Sequence, residues 1–497
     1  MLCEFAPHDD THVQCTRCRG LFPHGGQPVD RVRRTCPGEG QTRKAPSLVT
    51  RAGNAGQALI RNALNGFRRV PEEIRRQRQS ICESNVCGRF GKGWCELCGC
   101  HLQTKQSLAA ESCPDSPSRW IRWTDRQPGP LRVAFLTPGL GQGGAERWIL
   151  DLCQYLPTQD VQVSSVWLLD GGQSWQPFVN ELADMQIPVY GGSNLMAGRP
   201  NAMTGIIRSD HQQSMRAALD QADILITWGI PHLDRLLRGS GFNGLVVVVS
   251  HGEADATRDL LAESLSGTTD FAAVSQQAQS AFPREVQSRV KILWNGCNTD
   301  RLQIIQGRAV QRSLWGLEND EIAIGYLGRL HHQKRPLIAV QAALACGDKS
   351  RPVLIGEGLH QTEIIREARR MAGDRLIAPG PISPIGDALA ALDVWILGSP
   401  AEGFSIALLE AWAAGVPVVS TRVGCLDEIE AAFGAMVTPI PVDPSDTDLR
   451  SAIHHALSPS GRAIADHARQ FALKHLTAEL SAQRWAEWLR EICPVRG

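Results

Sequence analysis

Two glutamates eight residues apart carry the most specific chemical signal in this sequence of 497 residues. They lie in Ser399-Pro-Ala-Glu402-Gly-Phe-Ser-Ile-Ala-Leu-Leu-Glu410-Ala-Trp-Ala-Ala-Gly-Val-Pro-Val-Val-Ser420. Glu402 sits in a loop entering a helix predicted to begin near Gly403, and Glu410 falls inside that helix, which should stop at Gly415. The amides of Phe404, Ser405 and Ile406 then lack intrahelical partners and can receive an anion. A single glutamate there would be an ordinary cap neighbour. Two of them flanking an anion-receiving helix start suit one group that reads a sugar and another that reads a ribose. Upstream, Tyr326-Leu-Gly-Arg329-Leu-His-His-Gln-Lys334 leaves a strand with two cations five residues apart. Arg offers a planar fork of donors and Lys a point charge, which together suit a diphosphate. Surface charge on a loop is the commoner meaning of such a pair taken alone. A third element is Pro138-Gly-Leu-Gly-Gln-Gly-Gly-Ala-Glu-Arg147, where Gly143 and Gly144 open a helix near Ala145 and can expose amides to a ligand. By itself such a loop after a first strand is often only a turn, since the combination of G-x-G-x-x-G spacing with a following ribose-binding acid is not made here.

Positioning these groups requires strands that end where the loops begin. From residue 131 onward the pattern alternates short β-rich runs with helical stretches. The predicted strands of a first half are 131–136, 161–169, 187–190, 224–228, 245–250, 271–274 and 290–294; those of a second are 321–327, 352–355, 376–378, 394–397, 417–420 and 435–437. Continuous apolar runs such as Val246 to Val249 are expected of parallel strands covered on both faces. The fold class is therefore α/β, with two doubly wound, Rossmann-like domains facing a cleft, and ligands belong outside the strands' C-terminal ends. The expected divisions are 131–305 for a first domain, 306–475 for a second, and 476–497 for a C-terminal helix crossing back to the first half.

The front differs chemically. Ten of the 15 cysteines lie at or before Cys113, and residues 1–130 hold 20 Lys+Arg against 12 Asp+Glu although the whole chain balances at 51 each. Cys3, Cys15, Cys18 and Cys36 form one cluster (1–40); Cys82, Cys87, Cys95, Cys98, Cys100 and Cys113 form another (81–125). The C-x-x-C pairs Cys15/Cys18 and Cys95/Cys98 suit two thiolates gripping one metal, and segments this short gain folding free energy directly from structural zinc. Disulfides and an iron–sulfur cluster are the alternatives. Between the clusters, 41–80 reads as a basic helical linker, with Leu59, Ala63 and Phe67 at helical spacing. Its basic face could meet nucleic acid or an anionic membrane, but a solvated helix packed on a neighbour is the reading preferred, so no nucleic acid is expected.

An apolar fraction of 43% excludes wholesale disorder. No apolar run approaches a membrane span and no secretory leader is visible, so a cytoplasmic protein is expected, with a peripheral place at a membrane as the alternative.

Taken in order, the segment from residue 131 to the C-terminus resembles the retaining glycosyltransferases of family 4, which have the GT-B architecture. The resemblance rests on Gly143-Gly144-Ala145-Glu146, the Asn295-Gly296 turn, Gly328-Arg329 with Lys334, Gly356-Glu-Gly358, and Glu402…Glu410 before Gly-Val-Pro-Val-Val. It departs at Asn298, where Asp is common, and at Cys425, where a second glycine is common. The resemblance implies that Arg329 and Lys334 neutralise a donor diphosphate, Glu410 binds ribose hydroxyls, and Glu402 with the amides of Phe404, Ser405 and Ile406 holds the transferred sugar. Gly143 and Gly144 would line the diphosphate side, and His251 would approach the sugar. The activity implied is metal-independent transfer from a UDP-, GDP- or ADP-sugar to an unknown glycan, lipid or protein acceptor, with retention. The arrangement around Cys82 to Cys113 resembles a small cysteine-rich module of phage and bacterial proteins, which implies metal binding. Two other readings remain: a GT-B nucleotide-sugar epimerase or hydrolase, and a metal-dependent adaptor whose cysteine-rich front docks a partner.

Overall fold

The computed structural model describes residues 129–169, 175–190, 221–230, 244–252 and 270–493, isolated positions elsewhere, and in the front only 5–7, 12–15, 21–23, 62, 69–70, 72–83, 90–91, 94–95 and 101–108. The chain divides into two compact units, residues 1–129 with 490–497, and residues 130–489.

In the first unit, short antiparallel strands Phe5–Pro7, His12–Cys15 and Leu21–Pro23 form a small sheet, and Phe90–Gly91 pairs with Trp94–Cys95. Helix Glu72–Glu83 packs on helix Leu102–Ser107, where the buried Arg78 donates to the Gln106 and Leu108 carbonyls. The helical linker was expected within 41–80, yet this helix runs on to Glu83. Leu59, Ala63 and Phe67 lie outside the described residues.

The second unit holds two parallel sheets, as the apolar runs require. Its first sheet consists of β1 (Leu131–Thr137), β2 (Val161–Leu168), β3 (Val189–Tyr190), β4 (Ile224–Thr227), β5 (Leu245–Ser250), β6 (Asp270–Ala273) and β7 (Val290–Ile292). Among the described residues the order is β7-β6-β5-β4-β1-β2-β3. The second sheet consists of β8 (Ile322–Leu327), β9 (Ser350–Ile355), β10 (Ile377–Gly380), β11 (Val394–Leu397), β12 (Val418–Thr421) and β13 (Thr438–Ile440), ordered β10-β9-β8-β11-β12-β13. The strand order reverses beside β1 in one sheet and beside β8 in the other. Chains leaving adjacent strands there diverge to opposite faces and leave a crevice at the C-terminal ends.

Three expected boundaries shift, each because a local hydrogen bond competes with the regular element. The helix expected near Gly403 begins at Ile406 as α7 (Ile406–Ala414), capped by Ser405, whose Oγ accepts from the Leu408 amide. The last strand, expected at 435–437, is Thr438–Ile440 instead, because the amides of Met436 and Val437 donate to Glu430 Oε1. The C-terminal helix, expected from 476, is Ala478–Ile492: the Leu476 carbonyl and the Ala478 amide are both taken by the Cys297 backbone at 2.8 Å.

Other contacts join the segments that carry the two sheets. Ser275 Oγ donates to the Gly403 carbonyl at 2.8 Å, Asn295 Nδ2 to the Phe404 carbonyl at 3.2 Å, and the Gln276 amide to Glu428 at 2.7 Å. Trp485 of the C-terminal helix meets Trp148 with ring centroids 5.3 Å apart, and Ser481 Oγ donates to the Trp294 carbonyl. Gly403 has no room for a side chain, since a Cβ there would lie 1.9 Å from the His251 carbonyl oxygen. Gly403→Ala is therefore expected to lower stability by about 1–3 kcal/mol through overpacking. Gly144→Ala, where a Cβ would meet nothing within 4 Å, should be close to neutral. Denaturant unfolding of the full chain measures both.

Candidate active site

The loops leaving β1, β5, β8, β9 and β11 meet around a cavity of about 430 Å³. From the first sheet come Gly143 and Gly144, at the start of helix α1 (Gly144–Tyr155), and His251, just past β5. From the second come Arg329 and Lys334 after β8, then Glu402, Phe404, Ser405, Ile406 and Glu410 after β11. All ten donor-site residues named from the sequence line this one cavity.

The charges are arranged in pairs. Lys334 Nζ lies 2.7 Å from both oxygens of Glu402, so the lysine expected to face a phosphate and the glutamate expected to face a sugar hold each other. Glu410 is the lone charged residue of α7, is 3% exposed, and pairs with Arg301. Burial raises its carboxyl above the ordinary range, while Arg301 and Arg147 pull it back. Behind it Arg147 donates to Glu181 at 2.9 Å and lies 3.2 Å from Asp151. Glu146 folds back over Gly143; burial raises its carboxyl, partly offset by a bond to its own amide and by Arg329. Gln142 reaches the carboxylate of Glu357, joining the glycine loop to the loop after β9. Arg329 differs. Among the described residues its guanidinium has no hydrogen bond or ion pair, and Nε is buried without a partner.

His251 stands against Trp148 and Trp228, at ring-centroid distances of 4.7 and 5.2 Å, with Nε2 buried and unpartnered. Burial drives its pKa down to about 3, so the ring is neutral at physiological pH. A neutral imidazole can exchange one hydrogen bond with a ligand hydroxyl, and its low proton affinity makes it a poor base.

Sequence reasoning missed Arg301, Arg147 and Asp151. Arg301 and Glu410 are separated by 109 residues, so no local spacing connects them. The available signal was Glu410 itself, because a carboxylate in an otherwise apolar helix needs a cation from elsewhere.

Of the ten front cysteines only Cys15, Cys82 and Cys95 fall within described residues; Cys3, Cys18, Cys36, Cys87, Cys98, Cys100 and Cys113 lie outside them. The two expected ligand sets therefore have no described geometry. Among the described residues no group of three or more His, Cys, Asp or Glu is placed to hold a metal ion. No described helix is long and apolar enough to cross a membrane.

Residues 321–458 match the sequence profile of the family Glycosyl transferases group 1. HepE of Anabaena, solved in complex with UDP and glucose, superposes with a TM-score of 0.59 at 20% identity over 73% of this chain and 100% of that one. That likeness shows the GT-B fold for the two-sheet unit. D-inositol 3-phosphate glycosyltransferase of Corynebacterium urealyticum is 26% identical over 269 residues, 49% of this chain and 61% of the relative. The lipopolysaccharide core biosynthesis mannosyltransferase LpsB of Rhizobium meliloti is 31% identical over 147 residues, 28% of this chain and 42% of the relative. The matches thus span about three-fifths and two-fifths of those relatives' lengths.

The buried charge cluster gives a pH prediction. Asp151 has its carboxyl pushed up to about 6, chiefly by burial, with Arg147 and Arg301 opposing and Glu410 and Glu181 adding to the rise. Between about pH 4 and 6 the folded protein holds this proton more tightly than the unfolded chain does. The contribution of Asp151 to stability is therefore largest at the acid end of that window and is lost as pH rises through about 6. Asp151→Asn should remove this component, leaving a flatter unfolding free energy between pH 4.5 and 7. An unchanged pH slope would contradict the assignment.

Proposed function

We propose that the protein is a glycosyltransferase that moves a sugar from a nucleotide-sugar donor to an acceptor, with retention and without a catalytic metal. The observation that carries this reading is the shared cavity of Arg329, Lys334, Glu402, His251 and the start of α7. Cleaving a sugar–phosphate bond leaves extra negative charge on the departing diphosphate. Arg329, Lys334 and the first-turn amides of α7 are fixed positive groups that would meet that charge without moving far. The unpaired guanidinium of Arg329 suits an incoming phosphate, and Lys334 would exchange part of its hold on Glu402 for the other. Glu402, so loosened, would accept hydrogen bonds from hydroxyls of the transferred sugar while His251 contacts the same ring. Glu410 would read the ribose. With attack on the face from which the diphosphate leaves, the departing phosphate oxygen can take the acceptor's proton, so no separate general base is assigned.

The family profile over 321–458, in the half carrying Arg329 to Glu410, supports the same class. UDP, bound by HepE, is the first nucleotide to test, with GDP and ADP beside it. Glycans, lipids and proteins are the acceptor classes to screen. A structural zinc site in the front, serving to dock a partner, and a cytoplasmic location complete the proposal. Full-length protein assayed with UDP-, GDP- and ADP-sugars in EDTA is expected to turn over at least one donor. Arg329→Ala, Lys334→Ala and Glu402→Ala should each lower turnover by roughly 10²–10³, and Arg329→Ala, which breaks no ion pair among the described residues, should do so with little change in unfolding midpoint. Wild-type turnover in all three variants would contradict the proposal, and sugar release without an acceptor would identify a hydrolase instead.

A further inference from the structure

Arg301 has no role in the scheme above, yet its place is fixed from both sides. It belongs to the short 3-10 turn Thr299–Leu302 that follows Asn298. Asn298 anchors this turn to α1: its Nδ2 donates to Gln154 Oε1 at 2.7 Å, and its Oδ1 accepts from Tyr155 Oη at 3.1 Å and from the Asp300 amide at 3.0 Å. On the other side the Arg301 carbonyl accepts from the Ile385 amide at 3.1 Å. Gly386 lets the chains approach, since a Cβ there would lie 2.3 Å from the carbonyl oxygens of Leu302 and Gln303. From this clamped backbone the guanidinium lines the cavity and takes Glu410 Oε1. Glu410 Oε2 makes no hydrogen bond among the described residues, and Glu410 lines the same cavity.

We propose that Arg301 is a positioning residue for nucleotide specificity: by holding Oε1 it aims the Glu410 carboxylate so that Oε2 receives the ribose hydroxyls of the donor nucleotide. This rests on the donor reading above. A buried carboxylate is ionised and fixed only if a cation answers it. An ionised, oriented carboxylate favours a ribose over its deoxy analogue, because a missing hydroxyl leaves the buried acceptor unpaired. The groups facing Glu410 are Arg301, Arg147, Asp151 and the Cys297 thiol, and Arg301 is the one in direct contact.

The test is calorimetric titration of the full chain with UDP, GDP and ADP, their 2′-deoxy analogues, and inorganic pyrophosphate. The wild type should prefer the ribonucleotide by roughly 10- to 100-fold, the worth of a charged hydrogen bond. In Arg301→Gln that preference should fall to about 3-fold or less, with pyrophosphate affinity nearly unchanged. Arg301→Lys should recover part of it. Raising the pH should also recover part of it in Arg301→Gln, because loss of the guanidinium moves the Glu410 carboxyl further up. An Arg301→Gln protein that keeps the full preference, or loses pyrophosphate binding in equal measure, overturns the inference. A wild type that binds a nucleotide without preferring the ribose overturns it too and leaves the transferase reading standing. A wild type that binds none of the three nucleotides removes both.

Discussion

Charges drawn into a crevice away from water must be answered by other charges, and in this protein most of the answering groups come from distant parts of the chain. Lys334 is met by Glu402, Glu410 by Arg301, and Arg147 by Asp151 and Glu181. Apart from Arg147–Asp151, which lies within α1, each pair ties one loop or helix to another. Breaking one would strand a buried charge, at a cost of several kcal/mol. The pairing therefore sets the shape of the cavity as well as its electrostatics. Among the described residues Arg329 makes no ion pair, although its charge is felt by the Glu146 carboxyl, and an anion entering the cavity would complete the scheme.

The two sheets matter to this arrangement because of where their strands end. β1 and β8 are each flanked by strands whose connections depart in opposite directions, so the loops after them open onto a crevice. Gly403 and Gly386 then allow backbone to touch backbone where any side chain would hold the segments apart. The hydrogen bonds from Ser275 and Asn295 to the carbonyls of Gly403 and Phe404 keep the entry to α7 extended until Ser405 caps the helix. That delay places the first turn of α7 against the cavity.

Much of this was legible in the sequence. Several strands of the two-sheet unit, such as the one holding Val246 to Val249, declared themselves as continuous apolar runs, because burial on both faces leaves no polar alternation. Arg329, Lys334, Glu402 and Glu410 were legible because each stands in a short segment whose spacing has a chemical meaning. What could not be read was partnership across the chain. Nothing near Arg301 in sequence points to Glu410, and nothing near Lys334 says that Glu402 neutralises it. The boundary shifts at residues 403 and 435 have a related cause: a side chain claimed a backbone group that local propensity had given to helix or strand, Ser275 the Gly403 carbonyl and Glu430 the Met436 amide.

The most direct test of the central claim is calorimetric titration of the full-length wild type with UDP, GDP and ADP in excess EDTA, at low and at moderate salt. If an unanswered guanidinium and a helix start form the anion site, at least one nucleotide binds without any divalent ion, and more weakly as salt rises. Binding that appears only when a divalent metal is added, or no binding at all, would contradict the account.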